Sequence, residues 1–132
     1  MTNGLRALVL ALAAFTAAPA AQAQEIIAEY FTLLGPRDFY NSNGVRLTDT
    51  CAIIQQDRAN FHRFGIRDDL DQGDPVFGDR AMRAMIPQIC RFLPGQSDLA
   101  RFIGQGNTAY IYVQIMGSGG RVTEMLVFQG AG

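Results

Sequence analysis

Thr108-Ala-Tyr-Ile-Tyr-Val-Gln-Ile-Met116, Gly117-Ser-Gly-Gly120 and Arg121-Val-Thr-Glu-Met-Leu-Val-Phe-Gln129 make up the stretch that decides the fold. Two runs of β-formers flank a glycine-rich turn, which is the pattern of a hairpin. Side chains alternate across a strand, so Ala109, Ile111, Val113 and Ile115 share one face of the first run. Tyr110, Tyr112, Gln114 and Met116 share the other. The apolar face predicts packing on helices. The second face is expected to be partly covered or to offer an aromatic patch, with Tyr110 and Tyr112 as candidate binding residues.

A third run, Glu25 to Leu34, carries Ile26, Ile27, Tyr30, Phe31 and Thr32 and reads as a strand stopped by Gly35-Pro36. Between it and the hairpin lie two helical patterns. Asp49 to Phe64 opens on Thr48 as N-cap and closes on Gly65 as C′ glycine. Its apolar arc holds Cys51, Ile53, Ile54, Phe61 and Phe64, opposite Gln56, Asn60 and Arg63. Arg80 to Leu93, capped by Asp79, keeps one apolar stripe in phase across Pro87 and is expected to be a single kinked helix. Ser97 caps a short helix from Asp98 to Ile103. The expectation is an α+β fold, with a three-stranded antiparallel sheet, formed by the N-terminal strand and the C-terminal hairpin, packed on two main helices.

Two charges break the arc of the first helix. Asp57 falls between Phe64 and Phe61, and Arg58 falls between Ile54 and Cys51. A charge on a core-facing stripe must be paired or line a cavity. His62 lies one turn beyond Arg58 on nearly the same face. Asp57, Arg58 and His62 are therefore the candidate catalytic residues, with Asp57 orienting His62 or an Arg. The competing reading is structural and carries more weight. In it Asp57 accepts backbone N–H groups or pairs with Arg67 or Arg46, and Arg58 donates to loop carbonyls. No Ser sits in a GxSxG context, and the glycines at 104 to 106 and 117 to 120 lack the strand-then-helix setting of a phosphate loop.

The loop from Arg67 to Asp79 is acidic. Asp69, Asp71 and Asp74, with Gly73, are weak candidate metal ligands and suggest a calcium-stabilised module. The EF-hand pattern fails, because Leu70 falls on a ligand position and no Glu closes the loop. No metal or other cofactor is assigned.

The first 23 residues read as an export signal. Arg6 gives the positive n-region, Leu8 to Phe15 the short apolar h-region, and Ala21-Gln22-Ala23 the cleavage site. That run is too short for a membrane span, and no later segment supplies one. Residues 24 to 132 are then expected to form one small exported domain of 109 residues, soluble and periplasmic or secreted. In that oxidising setting Cys51 and Cys90, the two cysteines of the chain, read as one disulfide.

Past residue 23, ten Arg face nine Asp and three Glu, a net charge of −2. That balance excludes the basic face of a nucleic-acid binder. The chain contains no Lys, so none can serve as nucleophile or Schiff base. The residues assemble no catalytic set. The reading is a non-enzymatic periplasmic binding or structural module, whose partner would be a protein or an envelope component. The alternatives are a small enzyme built on Asp57, Arg58 and His62 and the calcium-stabilised module.

Overall fold

The described residues form four strands and three α-helices. The computed structural model describes residues 16–131. Most of the expected export signal, including its n-region and h-region, lies outside the described residues. Residues 16 to 24, which include Ala21 to Ala23, are exposed and without regular structure. The elements that follow are β1 (Glu25–Leu34), α1 (Thr50–Ala59), a π-helical turn (Asn60–Phe64), α2 (Arg80–Ile89), β2 (Cys90–Phe92), α3 (Ser97–Gly104), β3 (Ala109–Ser118) and β4 (Arg121–Gln129).

The α+β class is as expected, but the sheet is not the three-stranded antiparallel one. It has four strands in the order β1-β3-β4-β2 and is mixed. β1 and β4 flank β3 and both run antiparallel to it, with Phe31 opposite Tyr112 and Tyr112 opposite Phe128. The hairpin turn falls on Gly119 and Gly120, whose φ values of 58° and 73° are the positive pair that a tight two-residue hairpin turn requires. β2 adds to the far edge of β4 in parallel, Arg91 opposite Leu126.

The fourth strand exists because the second helix ends early. Its expected span to Leu93 is cut at Ile89. Pro87 has no N–H to give the carbonyl of Arg83, four residues back. Gln55 Nε2, on α1, donates to that carbonyl instead, at 3.2 Å. Beyond the proline the chain leaves the helix at Cys90 with φ −69° and ψ 127° and runs on extended. A kinked helix would carry Cys90 and Phe92 past the sheet. The strand inserts them into the core beside Met125 and Val127.

Other boundaries shift for local reasons. Asp49, not Thr48, is the N-cap of α1, its side chain accepting from Ala52 N. Asp79 caps α2 as expected, accepting from Met82 N. Ser97 is the first residue of α3 rather than its cap, and Gln96 precedes it without a side-chain cap bond. The last turn of the first helical segment is π-helical and ends on Gly65 in the left-handed conformation, φ 66°. The wider turn removes Phe64 from the apolar arc and leaves it 43% exposed, whereas Phe61 stays buried. It also turns Asn60 inward, where Asn60 Nδ2 donates to Asp38 Oδ1 at 2.9 Å.

The core lies between the helices and one sheet face. Tyr30, Leu34, Ile111, Val113, Ile115, Met125 and Val127 meet Ile53, Ile54, Ile86, Ile89 and Ile103 there. The free edge of β1 is covered at Phe31 and Leu33 by the loop before α2. Gln72 N donates to Phe31 O, Phe31 N to Gln72 Oε1 and Leu33 N to Asp71 Oδ1. Where its backbone groups are satisfied in this way, the edge offers no template for pairing with another chain.

Cys51 and Cys90 form a disulfide, with Cα atoms 5.9 Å apart and a separation of 39 positions in sequence. It ties the start of α1 to the point where α2 gives way to β2. Closing a loop of that length constrains the unfolded chain by roughly 4 kcal/mol. Reduction, or Cys51→Ala with Cys90→Ala, should lower the denaturant midpoint by a corresponding amount. Unchanged unfolding after verified reduction would show that the staple is not needed.

Candidate functional site

Asp57 and Arg58 sit in the interior, 1% and 0% exposed. They come from the last turn of α1, where the helix faces β1 and the acidic loop. Arg58 Nε donates to Asp57 Oδ2 at 2.7 Å. Its Nη1 donates to Gln72 O at 2.9 Å and to Asp74 Oδ2 at 3.0 Å, and its Nη2 donates to Thr32 Oγ1 at 3.0 Å. The guanidinium Cζ also lies over two rings, 4.2 Å from the Tyr30 centroid and 4.8 Å from that of Phe61. A forked cation with each nitrogen engaged and aromatic rings against it is the arrangement that lets a charge stay buried.

His62 follows on the π-helical turn, its side chain 15% exposed, and its Nε2 donates to Asp74 Oδ2 at 2.8 Å. Asp57 does not orient His62. That role falls to Asp74, which the sequence had offered as a metal ligand. Asp74 Oδ1 accepts from Val76 N and Phe77 N, so one carboxylate closes the turn before α2 and joins Arg58 to His62. Burial opposes its charge, but those backbone bonds with His62 and Arg58 outweigh burial and hold its pKa below the usual 3.8.

Asp57 is set the other way. Burial pushes its carboxyl from 3.8 up to about 7, against the attraction of Arg58. Hydrogen counting agrees with that direction. Thr32 Oγ1 is 2.9 Å from Asp57 Oδ1 and 2.9 Å from Asp71 Oδ1, and it has one proton. With Asp57 protonated, Asp57 donates to Thr32, Thr32 donates to Asp71, and Arg58 faces the single charge of Asp74. Tyr30 is also buried, which raises its phenol pKa, and its hydroxyl has no partner among the described residues.

The partners proposed for a loop anchor differ in part from those observed. Asp57 meets neither Arg67 nor Arg46. Arg67 Nε donates to Phe61 O at 3.2 Å, and Arg46 Nη2 donates to Gly104 O at 3.2 Å. Of the acidic loop, Asp69 is exposed. Asp71 and Asp74 have their oxygens occupied by protein donors. Among the described residues no three His, Cys, Asp or Glu side chains are grouped as a metal site needs.

Sequence reasoning missed Thr32, Tyr30, Gln72 and Asn60. Thr32 left a signal, since it is the polar residue at a core-facing position between Tyr30 and Leu34. Tyr110 and Tyr112 lie where the alternation put them, on the sheet face away from the helices. Phe31 stacks on Tyr110 with centroids 5.5 Å apart, Phe31 on Tyr112 at 4.8 Å, and Tyr112 on Phe128 at 5.8 Å. Tyr112 Oη donates to the Glu29 carboxylate, which raises the phenol pKa, and Gln114 Nε2 donates to Tyr112 Oη at 3.0 Å. No family model matches the chain, and no curated protein or solved structure is significantly similar to it.

Removing Arg58 leaves buried polar partners unsatisfied. Arg58→Met should cost about 3–5 kcal/mol in chemical denaturation. A loss below 1 kcal/mol would show that the interior tolerates the cluster unpaired.

The raised Asp57 pKa gives a pH test. Between about pH 4 and 7 the folded chain holds a proton on Asp57 that the unfolded chain has released. Stability contributed by this group therefore falls as pH rises through that window. Asp57→Asn keeps the neutral shape, so the stability of the variant relative to the parent should improve steadily from pH 4 to pH 7.5 in thermal melts. A constant difference across that range would contradict the raised pKa.

Proposed function

We propose that this chain is an exported, non-enzymatic binding module whose working surface is the open face of its sheet and whose partner is a protein. The observation that carries the reading is the aromatic row Phe31–Tyr112–Phe128, extended by Tyr110, on a face that no described helix covers. Aromatic side chains are enriched at protein interfaces, because they bury large areas at small entropic cost.

The geometry of the rings favours a protein over a glycan. They stand on edge and spend their faces on one another, so a sugar ring finds little open π-face. What they present is ring edges beside the polar groups of Glu29, Gln114 and Glu124. The enzyme reading has less support. Its three residues are engaged with other protein atoms, and only His62 reaches solvent. The calcium reading also has less support, since Asp71 and Asp74, two of its three candidate ligands, accept hydrogen bonds within the protein. Export accords with the Cys51–Cys90 disulfide. It accords also with the fact that, among the described residues, no helix is long and apolar enough to cross a membrane.

A photo-crosslinking residue placed at Tyr110 in producing cells should give one discrete protein adduct. The same probe at Met85, on α2, should not. Adding Phe128→Ser to the Tyr110 probe should weaken the adduct while the fold persists by circular dichroism. Equal labelling from both positions, or no adduct from Tyr110, would overturn the proposed surface. Turnover abolished by His62→Ala in a folded protein would overturn the non-enzymatic reading.

A further inference from the structure

The outer groove between α1 and α2 collects cations without acids. Ala52, Ala59 and Ala84 are small enough to leave it open, and its volume is about 370 Å³. That lies at the lower end of the range for small-molecule sites. Three guanidinium groups line it: Arg63 from the π-helical turn, and Arg80 and Arg83 from the first turns of α2. No Asp or Glu lines it, in a chain whose acids outnumber its bases.

These arginines are not spent on the protein as Arg58 is. Among the described residues, Arg63 and Arg80 make no hydrogen bond and no ion pair. Arg63 only lies over the ring of Phe64, with Cζ 4.9 Å from its centroid. Arg83 is largely buried, and its Nη1 donates to Phe77 O at 2.8 Å and Gly78 O at 3.0 Å. Those two bonds fix its stem and leave Nε and Nη2 without a protein partner. One anchored and two unpaired guanidinium groups around a common space form a receptor for an oxyanion, because the fork matches carboxylate and phosphate oxygens.

The amide donors beside them are held by the protein, so the arginines supply the donors for the anion. Gln55 Nε2 is held by Arg83 O and Gln56 Nε2 by Asn60 Oδ1, so both amide oxygens remain free to accept. The alanine floor suits an apolar stem. We infer that this cleft binds a small organic anion, with a carboxylate or phosphate head on the arginines and an apolar body along Ala52, Ala59 and Ala84. This site is separate from the sheet face on the far side of the core, so either can fail without the other.

The test is an NMR titration of the isotope-labelled full-length product as recovered from cells. The probes are sodium hexanoate and inorganic phosphate, with sodium chloride at matched ionic strength as the blank. At least one probe should give saturable shifts at the Ala52, Gln55, Ala59 and Ala84 amides, on the order of millimolar for so small a ligand. Tighter hexanoate identifies an organic acid as the ligand class, and tighter phosphate identifies a phosphate head. Arg63→Gln with Arg80→Gln should weaken binding about tenfold or more, as loss of charge-assisted hydrogen bonds does. Arg121→Gln, at the hairpin, should leave it unchanged. Shifts no larger than with chloride, or undiminished binding in the double variant, would overturn the inference.

Discussion

The Arg58 guanidinium is the constraint on which the rest of the structure depends. It is the largest fully buried side chain of the described residues, and it joins three pieces of chain that share no regular pairing. From α1 it reaches Thr32 on β1, and Gln72 and Asp74 on the loop before α2. That loop runs from Gly65 to Asp79 without helix or strand, a length that needs its own internal fastening. Isosteric apolar residues would fill the same volume at no desolvation cost. They would not specify where the loop lies. A planar fork with fixed donor directions does, and the rings of Tyr30 and Phe61 lie against it.

The loop in turn completes the sheet. Asp71 and Gln72 satisfy the outer edge of β1 at Phe31 and Leu33, and Asp74 caps the turn that launches α2. At the opposite edge the same problem is solved by covalent and steric means. Pro87 removes a helical bond, Gln55 supplies the substitute donor, and the disulfide fixes where the released chain goes. The short β2 then covers part of β4. One edge is closed by a buried charge network and the other by a proline and a disulfide.

Much of this was legible in the residues. β1 and β4 were read at their observed bounds and β3 within two residues, because alternation over nine or ten residues is a strong signal. The Asp57-Arg58 interruption marked the interior cluster before any partner was known. Three features were hidden, each for a physical reason. The apolar stripe of α2 stays in phase past Pro87, so periodicity continues to suggest helix where the missing N–H has already ended it. The π-helical turn shifts the phase by a fraction of a turn, which exchanges Phe64 and Asn60 between surface and interior. The partners of Arg58 are distant in sequence, and Asp74 resembled a ligand because an oxygen that accepts from Arg, His and backbone N–H is the same oxygen a cation would use.

A chain with arginine as its sole long cation uses one chemistry in two settings. Where carboxylate, hydroxyl and carbonyl oxygens converge, as around Arg58, the fork is saturated and becomes structure. Where small residues open a groove and no acid is near, as around Arg63 and Arg80, the same fork is left with unused donors. Buried polar groups must find partners within the fold, whereas donors at a groove can wait for one from outside. That contrast, more than residue type, separates the two clusters. It sets the saturated guanidinium of Arg58 in the interior, and the arginines of α2 and the π-helical turn at the surface where a ligand could meet them.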